Sequence, residues 1–359
     1  MPDFEPMSET ESLPTQDAKP KLLRVLDHEV VNPPPIWLMR QAGRHLPEYR
    51  ALRAKTSNFL EFCYSPELAI EASLQPVRRY GLDAAIMFSD ILVVPDALGR
   101  QVGFTAGEGP KLDPLRPGDA LPVFDEEAFH AHLTPVYSTV MGLRAALPQD
   151  VALIGFAGAP WTVATYMVEG GGSRDFQKIR RWAYTDLGGF QRLMDLLVDA
   201  TASYLIRQIE AGVQTVQLFD TWAGVLPPDQ FHRWVIQPSA EIVRRVRKAY
   251  PKTPIIGFPR GAGQNYIAYA FETEVNGLSL DATISPSWAV RAIPERCAIQ
   301  GNLDNLVLMA GGAALERSAR DILQQFGKRP FIFNLGHGIL PDTAPEHVEQ
   351  LLSIVRENR

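Results

Sequence analysis

The sequence has few cysteines, no long apolar run and no excess of positive charge. Cys63 and Cys297 are the only cysteines among 359 residues. They cannot form a disulfide framework or a thiolate metal cluster, which favours a protein of the reducing cytosol. No apolar run approaches the roughly 20 residues that a bilayer-spanning helix needs. The formal net charge is −6, which argues against a nucleic-acid-binding protein, because such proteins usually present a basic surface.

The first 20 residues differ in composition from the rest of the chain. They are rich in Glu, Asp, Ser, Thr and Pro. The segment lacks the basic start and apolar centre of a signal peptide, and it is too acidic for a transit peptide. We therefore expect residues 1–20 to form a disordered acidic tail on a cytoplasmic protein. The remainder, in a chain with 46% hydrophobic residues, is sufficient for a large core.

Beyond the tail, short apolar runs alternate with longer segments of helical periodicity, such as Phe190–Ile209 and Pro228–Tyr250. Most of the short runs are apolar throughout, as strands buried on both faces of a parallel sheet are. They predict eight strands, namely Pro35–Met39, Ala84–Phe88, Ala152–Phe156, Val213–Phe219, Pro254–Phe258, Gly277–Leu280, Ala298–Gln300 and Pro330–Phe333.

Eight strand–helix units predict an α/β fold in which residues 21–359 form a single (β/α)8 barrel. A doubly wound sheet is the alternative, and the count of eight favours the barrel. Polar residues follow most strands directly, and a barrel builds its active site at the C-terminal ends of its strands. These residues are Arg40 and Arg44, Ser89 and Asp90, Asp220 and Thr221, Arg260, Asp281, Asn302 and Asp304, and Asn334 through His337.

The segment Trp37–Arg50 carries the strongest functional signal. A predicted strand ends there in Arg40 and Arg44, which are four residues apart with Gly43 between them. A guanidinium is a planar fork of donors suited to carboxylates and phosphates, and it stays charged at any working pH. A pair of surface arginines near a helix start is the alternative, but an arginine directly after a buried strand needs a partner. Gly43 lets the backbone approach a ligand closely. The segment therefore predicts an anion site.

Three further motifs are less specific. Asp90 lies between two apolar stretches, which fits a helix N-cap and equally fits a carboxylate facing a cationic or N–H-rich ligand. The glycines at 170–172 predict a substrate loop, because no nucleotide-binding glycine motif occurs in the chain. His337 lies between glycines at a strand end, where it would face a pocket. The seven histidines form no metal-binding pattern, so no catalytic metal is expected.

These segments resemble the uroporphyrinogen decarboxylase family along nearly all of residues 22–356. The resemblance is carried by Trp37–Arg50, Phe88–Gly99, Gly155–Ser173, Gln217–Gly224, Gln300–Asp304 and Asn334–Pro341. It implies a single barrel domain and a homodimer with facing clefts. It also implies decarboxylation, without any cofactor, of the four acetate side chains of uroporphyrinogen III to give coproporphyrinogen III, in tetrapyrrole and haem biosynthesis.

The resemblance also implies roles for individual residues. Asp90 matches the family's central aspartate, which accepts hydrogen bonds from pyrrole N–H groups and stabilises the cation formed when a pyrrole carbon is protonated. Arg40 and Arg44 match catalytic and substrate-binding arginines, and Arg50 adds positive field. Arg40 is the family's favoured proton donor, although a guanidinium is a poor acid. The matching substrate-contacting tyrosine, hydroxyl residue and histidine are Tyr166, Thr221 and His337.

Two departures from the family and two alternative functions accompany the resemblance. Thr221 stands where other members carry serine, and Asn305 stands where many carry proline. Corrinoid methyltransferases resemble this fold, but they bind zinc through His and Cys, and Ile256–Gly263 contains neither. A tetrapyrrole-binding protein without turnover is the other alternative. It is disfavoured because every matched position holds a competent residue.

Overall fold

The structure is a computed structural model that describes residues 19–105 and 109–358. Of the predicted acidic tail, only Lys19 and Pro20 fall within this range, and the rest of it lies outside the described residues. Helix α1 (Lys21–Leu26) follows at once. Its Leu22 and Val25 are fully buried, so this helix is part of the hydrophobic core.

Nine strands are present in the described residues. They are β1 (Ala84–Ile86), β2 (Val102–Thr105), β3 (Gly109–Leu112), β4 (Ala152–Gly158), β5 (Thr215–Asp220), β6 (Ile255–Pro259), β7 (Gly277–Ser279), β8 (Ala298–Leu303) and β9 (Phe331–Leu335). Seven form one curled sheet in the order β1-β4-β5-β6-β7-β8-β9, with every neighbouring pair parallel. Strands β2 and β3 form a separate antiparallel pair, which the apolar pattern did not predict.

Helices connect the strands. The remaining ones are α2 (Pro47–Arg53), α3 (Phe59–Cys63), α4 (Pro66–Tyr80), α5 (Val93–Ala97), α6 (Glu126–Ala146), α7 (Pro160–Glu169), α8 (Gln177–Thr185), α9 (Leu187–Ala211), α10 (Pro228–Phe231), α11 (Gln237–Ala249), α12 (Asn265–Thr273), α13 (Pro286–Ala292), α14 (Asn305–Ala310), α15 (Gly312–Phe326) and α16 (Pro345–Glu357). A π-helical segment, His232–Ile236, joins α10 to α11. Among the described helices, none is both long and apolar enough to span a bilayer.

The predicted strand Pro35–Met39 is not a regular strand. Only Ile36 forms a parallel bridge, to Phe333 of β9. Pro35 has no N–H group, and the amides at the end of the segment find side-chain acceptors: Leu38 N–H donates to Gln41 Oε1 at 3.1 Å and Met39 N–H to Asn334 Oδ1 at 3.0 Å. The ladder is interrupted because these side chains take the place of strand carbonyls. The other seven predicted strands are confirmed.

A packed core fills the inside of the curled sheet. Trp37, Ile154, Ile256 and Ile332 are among its fully buried residues, and the small Ala152 leaves room for them. Strand residues alternate between this interior and the outer helices, because successive side chains point to opposite faces.

Helix α1 covers the N-terminal end of the sheet. A Cβ atom on Gly277, the first residue of β7, would lie 2.8 Å from Leu26 Cδ2. A polar chain crosses the same interior: Trp37 Nε1 donates to Gln300 Oε1 at 2.9 Å, and Gln300 Nε2 donates to Gln217 Oε1 at 3.0 Å. With this end closed, the C-terminal ends of the strands are where a site can open.

Candidate active site

Arg40 lies where the first segment leaves the sheet, and its position depends on the loop after β9. Its backbone is left-handed, with φ of 62°. The carbonyl of the preceding Met39 accepts from Ile339 N–H at 2.9 Å. The side chain crosses over Gly338, where a Cβ atom would lie 2.3 Å from Arg40 Cδ. A glycine at position 338 is therefore required for the Arg40 side chain to follow this path. The predicted arginine motif and the predicted histidine motif are thus in contact.

The turn between Arg40 and Arg44 is tight. A Cβ atom on Gly43 would lie 2.6 Å from the carbonyl oxygen of Arg40, so this glycine permits a close backbone approach within the motif itself. Arg50 Nη1 donates to the carbonyl of Arg44 at 2.6 Å and to that of His45 at 3.4 Å. Arg50, which the sequence analysis treated as a source of positive field, thus holds the turn in place.

The guanidiniums of Arg40 and Arg44 are exposed. Neither forms a hydrogen bond or an ion pair with any residue that the structure describes. Both guanidiniums therefore remain available to a ligand, as the predicted anion site requires.

Asp90 is held by one of its carboxylate oxygens and presents the other. Oδ1 accepts from Leu92 N–H at 2.8 Å, and Oδ2 has no hydrogen-bond partner within the described ranges. Burial raises the pKa of Asp90 to about 6, opposed by the Leu92 N–H group and by the charge of Arg40. The residue nevertheless keeps partial exposure. The carboxylate is therefore largely desolvated and yet still reached by solvent.

Tyr166 and Thr221 come from neighbouring elements. Tyr166 lies near the end of α7 and is half-buried, and its pKa is raised by burial and by the charge of Asp90. Its ring centroid lies 6.4 Å from that of Trp222. Thr221 directly follows β5, in which Gln217 and Phe219 face the sheet interior. Strand alternation therefore directs Thr221 toward the same interior axis.

His337 follows β9 and is half-buried. Its pKa is lowered to about 4 by burial and by the charges of Arg40 and Arg260, against the opposing charge of Asp281. The imidazole is therefore neutral at ordinary pH, when it can donate one hydrogen bond and accept another.

The fold thus brings four of the predicted residues together, since the charge of Arg40 acts on Asp90, Tyr166 and His337. The charge of Arg44 instead opposes the rise in the pKa of Tyr49, so Arg44 lies to one side of these four residues.

Three phenylalanines that the sequence analysis did not single out form an aromatic layer beneath the polar residues. The ring centroids of Phe156 and Phe219 lie 5.7 Å apart, and those of Phe219 and Phe258 lie 6.2 Å apart. Phe219 is only partly buried. The three lie near the C-terminal ends of β4, β5 and β6. The alternation of side chains along each strand identifies them as inward-facing residues. They form an apolar floor at the strand ends, of which Phe219 is the most accessible member, since Phe156 and Phe258 are 9% and 2% exposed.

Asp220 and Asp281, two of the polar residues at strand ends, serve as structural acceptors. Asp220 Oδ1 accepts from Thr162 Oγ1 at 2.5 Å on the helix side of β5. Asp281 Oδ2 accepts from Gly261 N–H and from Tyr266 Oη, both at 2.8 Å. Residue type at a strand end did not distinguish these carboxylates from Asp90, because the distinction depends on which hydrogen-bond donors the fold brings to each one.

A groove of about 900 Å³ lies elsewhere, between α6 and α9 on the outer helical layer. It contains a satisfied chain in which Ser203 Oγ donates to Glu126 Oε1 at 2.7 Å and contacts His130 Nε2 at 2.8 Å, while His130 Nδ1 contacts Tyr137 Oη at 2.7 Å. Every member has a partner, and none is a candidate site residue. Among the described residues, no three His, Cys, Asp or Glu side chains are grouped to hold a metal ion.

The curled parallel sheet, its outer helices and the polar cluster at the strand ends define a barrel-type α/β enzyme. A methyltransferase from Methanosarcina mazei has the same fold: the two structures superpose with a TM-score of 0.77 over 94% of this chain and 97% of that one, at 19% sequence identity. At that identity the likeness concerns the fold alone.

The family is shown by sequence. The family model described as "Uroporphyrinogen decarboxylase (URO-D)" matches residues 17–358, and this chain belongs to that family. A protein named uroporphyrinogen decarboxylase in Rhodospirillum rubrum is 52% identical over 97% of this chain and 100% of its own length. One of the same name in Rhizorhabdus wittichii is 55% identical over 93% of this chain and 97% of its own length.

Proposed function

We propose that this protein catalyses the cofactor-independent decarboxylation of the four acetate side chains of uroporphyrinogen III to give coproporphyrinogen III. Family membership and the names of its relatives support this function. The observation that carries it is the pairing of Asp90, whose pKa is raised to about 6, with the uncompensated guanidinium of Arg40 above an apolar floor. A carboxylate for a developing cation and a guanidinium for an anion are the two groups that this reaction needs.

Substrate binding is assigned first to the arginines. Uroporphyrinogen III carries eight carboxylates, whereas the protein has a net charge of −6. Local positive field is therefore required to attract the substrate, and Arg40 and Arg44 supply it as free planar forks. The aromatic layer of Phe156, Phe219 and Phe258 offers the macrocycle an apolar surface.

The chemical step is assigned to Asp90. Protonation of a pyrrole carbon places positive charge on the ring. The bond between the acetate methylene and its carboxylate then breaks, its electron pair flows into the cationic ring, and CO2 leaves. Protonation of the resulting methylene and loss of the ring proton give a methyl group, so each round consumes one proton overall. Asp90 Oδ2, which has no partner among the residues that the structure describes, accepts the pyrrole N–H groups and stabilises the cation, as preorganised dipoles stabilise developing charge in other active sites.

The remaining predicted residues are assigned to orientation. Tyr166 presents a hydroxyl group near Asp90, and His337 presents a neutral ring near Arg40. Thr221 presents a second hydroxyl group directly after β5. Such groups hold a reacting side chain in a productive geometry by hydrogen bonds. Arg40 is the favoured proton donor, by family resemblance.

The quaternary and cellular setting belongs to the same proposal. We assign residues 21–359 to one catalytic domain, a closed (β/α)8 barrel in which Pro35–Met39 takes the place of the eighth strand. The bridge between Ile36 and β9 supports this assignment. By family resemblance the enzyme is a homodimer with facing clefts. Two free buried cysteines, Cys63 and Cys297, are compatible with a cytoplasmic protein. Sedimentation of the purified protein tests the dimer.

The decisive experiment counts carboxyl groups. Purified, chelator-treated protein is incubated anaerobically with uroporphyrinogen III, and the oxidised products are separated by chromatography. We expect conversion from eight carboxyls to four with no added cofactor, and a loss of at least about 100-fold in the Asp90→Asn variant. Intact, folded protein that releases no CO2 would overturn the assignment.

A further inference from the structure

Arg260 is a candidate ligand-binding residue to which no role has been given so far. It directly follows β6 and is half-buried. Its backbone is tied to the loop that carries Thr221: Arg260 N–H donates to the carbonyl of Asp220 at 3.1 Å, and Gly224 N–H donates to the carbonyl of Arg260 at 3.0 Å. The base of this side chain is therefore fixed relative to a predicted site residue.

Two glycines and a buried carboxylate make this anchor rigid. A Cβ atom on Gly224 would lie 2.5 Å from the carbonyl oxygen of Gly261, so the loops after β5 and β6 touch through backbone alone. Gly261 has a φ of 74°, and its N–H group donates to Asp281 Oδ2 at 2.8 Å. Asp281, whose own contacts are all structural, thus determines where Arg260 begins.

By the alternation of side chains along β6, Arg260 belongs to the face of the sheet that lines the interior. Ile256 and Phe258 point into that interior, and Arg260 continues the same alternation one step beyond the aromatic layer. Its charge, together with that of Arg40, reaches His337. Its guanidinium forms no hydrogen bond and no ion pair with the residues at 19–105 or 109–358. A half-buried guanidinium without a partner is costly unless a ligand supplies the anion.

Arg260 and Arg40 do not occupy equivalent places. The charge of Arg40 lowers the pKa of Asp90, Tyr166 and His337, whereas the charge of Arg260 lowers the pKa of His337 and opposes the rise in the pKa of Tyr266 in α12. Arg260 therefore lies where the loops after β5 and β6 meet, on the α12 side of His337.

We propose that Arg260 binds a propionate side chain of the tetrapyrrole and positions the macrocycle from the side formed by the loops after β5 and β6. This inference rests on the proposed function. In the last of the four rounds the reacting acetate is the only acetate left. A remote cation that assists every round must therefore bind a propionate, since the propionates persist from substrate to product.

The test compares Arg260→Gln and Arg260→Lys with Arg207→Gln, a matched control on the outer face of α9, where Arg207 pairs with Glu210 at 2.9 Å. Steady-state constants are measured anaerobically with uroporphyrinogen III and with the pentacarboxylate intermediate. Binding of coproporphyrinogen III, which is not turned over, is measured by equilibrium dialysis. Circular dichroism and thermal unfolding verify that each variant is folded.

For Arg260→Gln we expect KM for both substrates and Kd for the product to rise about 10- to 100-fold, the loss of one charge-assisted hydrogen-bonding pair, with a smaller change in kcat. Arg260→Lys recovers part of the binding, and Arg207→Gln behaves as the unaltered protein. A rise confined to uroporphyrinogen III, with unchanged product binding, would point to an acetate contact and overturn the assignment. Unchanged constants throughout would remove Arg260 from the site.

Failure of the proposed function gives a different pattern. If the unaltered protein binds coproporphyrinogen III but releases no CO2 from uroporphyrinogen III, the decarboxylase assignment is wrong. The product-binding comparison between Arg260→Gln and Arg207→Gln then still decides whether Arg260 contacts a propionate.

Discussion

Two aspartates near strand ends, Asp90 and Asp220, have raised pKa values in different surroundings. Burial raises the pKa of Asp90 to about 6 and that of Asp220 to about 7. Asp90 keeps partial exposure and lies within the field of Arg40, whereas Asp220 is 1% exposed and accepts from Thr162 on the helix side of the sheet. At the residue scale, an aspartate near a strand end is therefore a candidate for catalysis in the case of Asp90 and for positioning in the case of Asp220.

The pH dependence of kcat/KM is predicted to follow the ionisation of Asp90. Only the ionised carboxylate stabilises a cationic ring, and it becomes protonated as the pH falls through its pKa of about 6. We expect kcat/KM to decline about tenfold per pH unit below that value. The pH–rate profile of the Asp220→Asn variant, measured as a control, should show the same decline in kcat/KM below about pH 6. A profile flat down to pH 4 would contradict the role of Asp90.

Asp220 is predicted to make the folded state less stable as the pH rises. Its folded pKa of about 7 lies above the ordinary value of 3.8, so the native state binds its proton more tightly than the unfolded chain does. Stability is therefore lost between about pH 4 and pH 7, the reverse of the usual carboxylate case. The Asp220→Asn variant resembles the protonated form. Urea unfolding across this range should show a smaller decline for the variant, and equal slopes would refute the prediction.

At the scale of elements, helix α7 and the loop after β5 form one unit. Thr162 Oγ1 donates to Asp220 Oδ1 and accepts from Trp222 N–H at 3.1 Å, and Trp161 Nε1 donates to the carbonyl of Trp222 at 3.0 Å. These bonds set the position of Tyr166, four residues further along α7, relative to Thr221. The helix begins with Pro160 at its first position and ends at Gly170, which has a left-handed backbone. These two residues therefore define its length.

Thr162→Val is predicted to loosen this unit. The change preserves shape but leaves a buried carboxylate and an amide without a partner, which costs about 1–3 kcal/mol of unfolding free energy. A fall in kcat/KM should accompany it, because Tyr166 and Thr221 lose their common anchor. Thr165→Val is the matched control, since the Thr165 hydroxyl donates only to the Trp161 carbonyl within the same helix. Equal effects of the two changes on unfolding and kinetics would argue against a positioning role for Thr162.

Most elements were predictable because their signal is local. Continuous apolar runs identified seven strands, and helical spacing identified α9. Pro35–Met39 was wrong as a regular strand because Gln41 and Asn334, the latter far along the chain, take up its amides. The pair β2–β3 was missed because Gly103, Gly109 and Pro110 interrupt any apolar or alternating pattern.

At the scale of the whole molecule, the segment around Ile36 links the two outer strands of the sheet. The amide of Phe333 in β9 donates to the carbonyl of Pro35 at 2.9 Å. On the other side, Asp83 N–H donates to the Ile36 carbonyl at 3.0 Å, and Asp83 Oδ2 accepts from Ile36 N–H at 2.9 Å. One aspartate, immediately before β1, therefore substitutes for a strand neighbour.

Asp83→Ala is predicted to destabilise the molecule by about 1–3 kcal/mol, because it leaves the buried Ile36 amide without an acceptor. Asp83→Asn keeps an acceptor oxygen and should retain most of the stability. Urea unfolding measures both variants, and hydrogen exchange of the Ile36 amide reports the local opening. If alanine and asparagine behave alike, Asp83 does not secure this junction.

The sequence by itself determined the secondary-structure class, the family, and the chemical types available at the strand ends, because periodicity, glycine placement and residue identity are local properties. Tertiary structure alone decided which of these residues work together. It placed Arg40 across Gly338 and beside His337, left the Arg260 guanidinium without a partner in the described part of the chain, and turned Asp220 toward Thr162. Proximity and desolvation depend on contacts between segments up to 300 residues apart, and no local pattern carries that information.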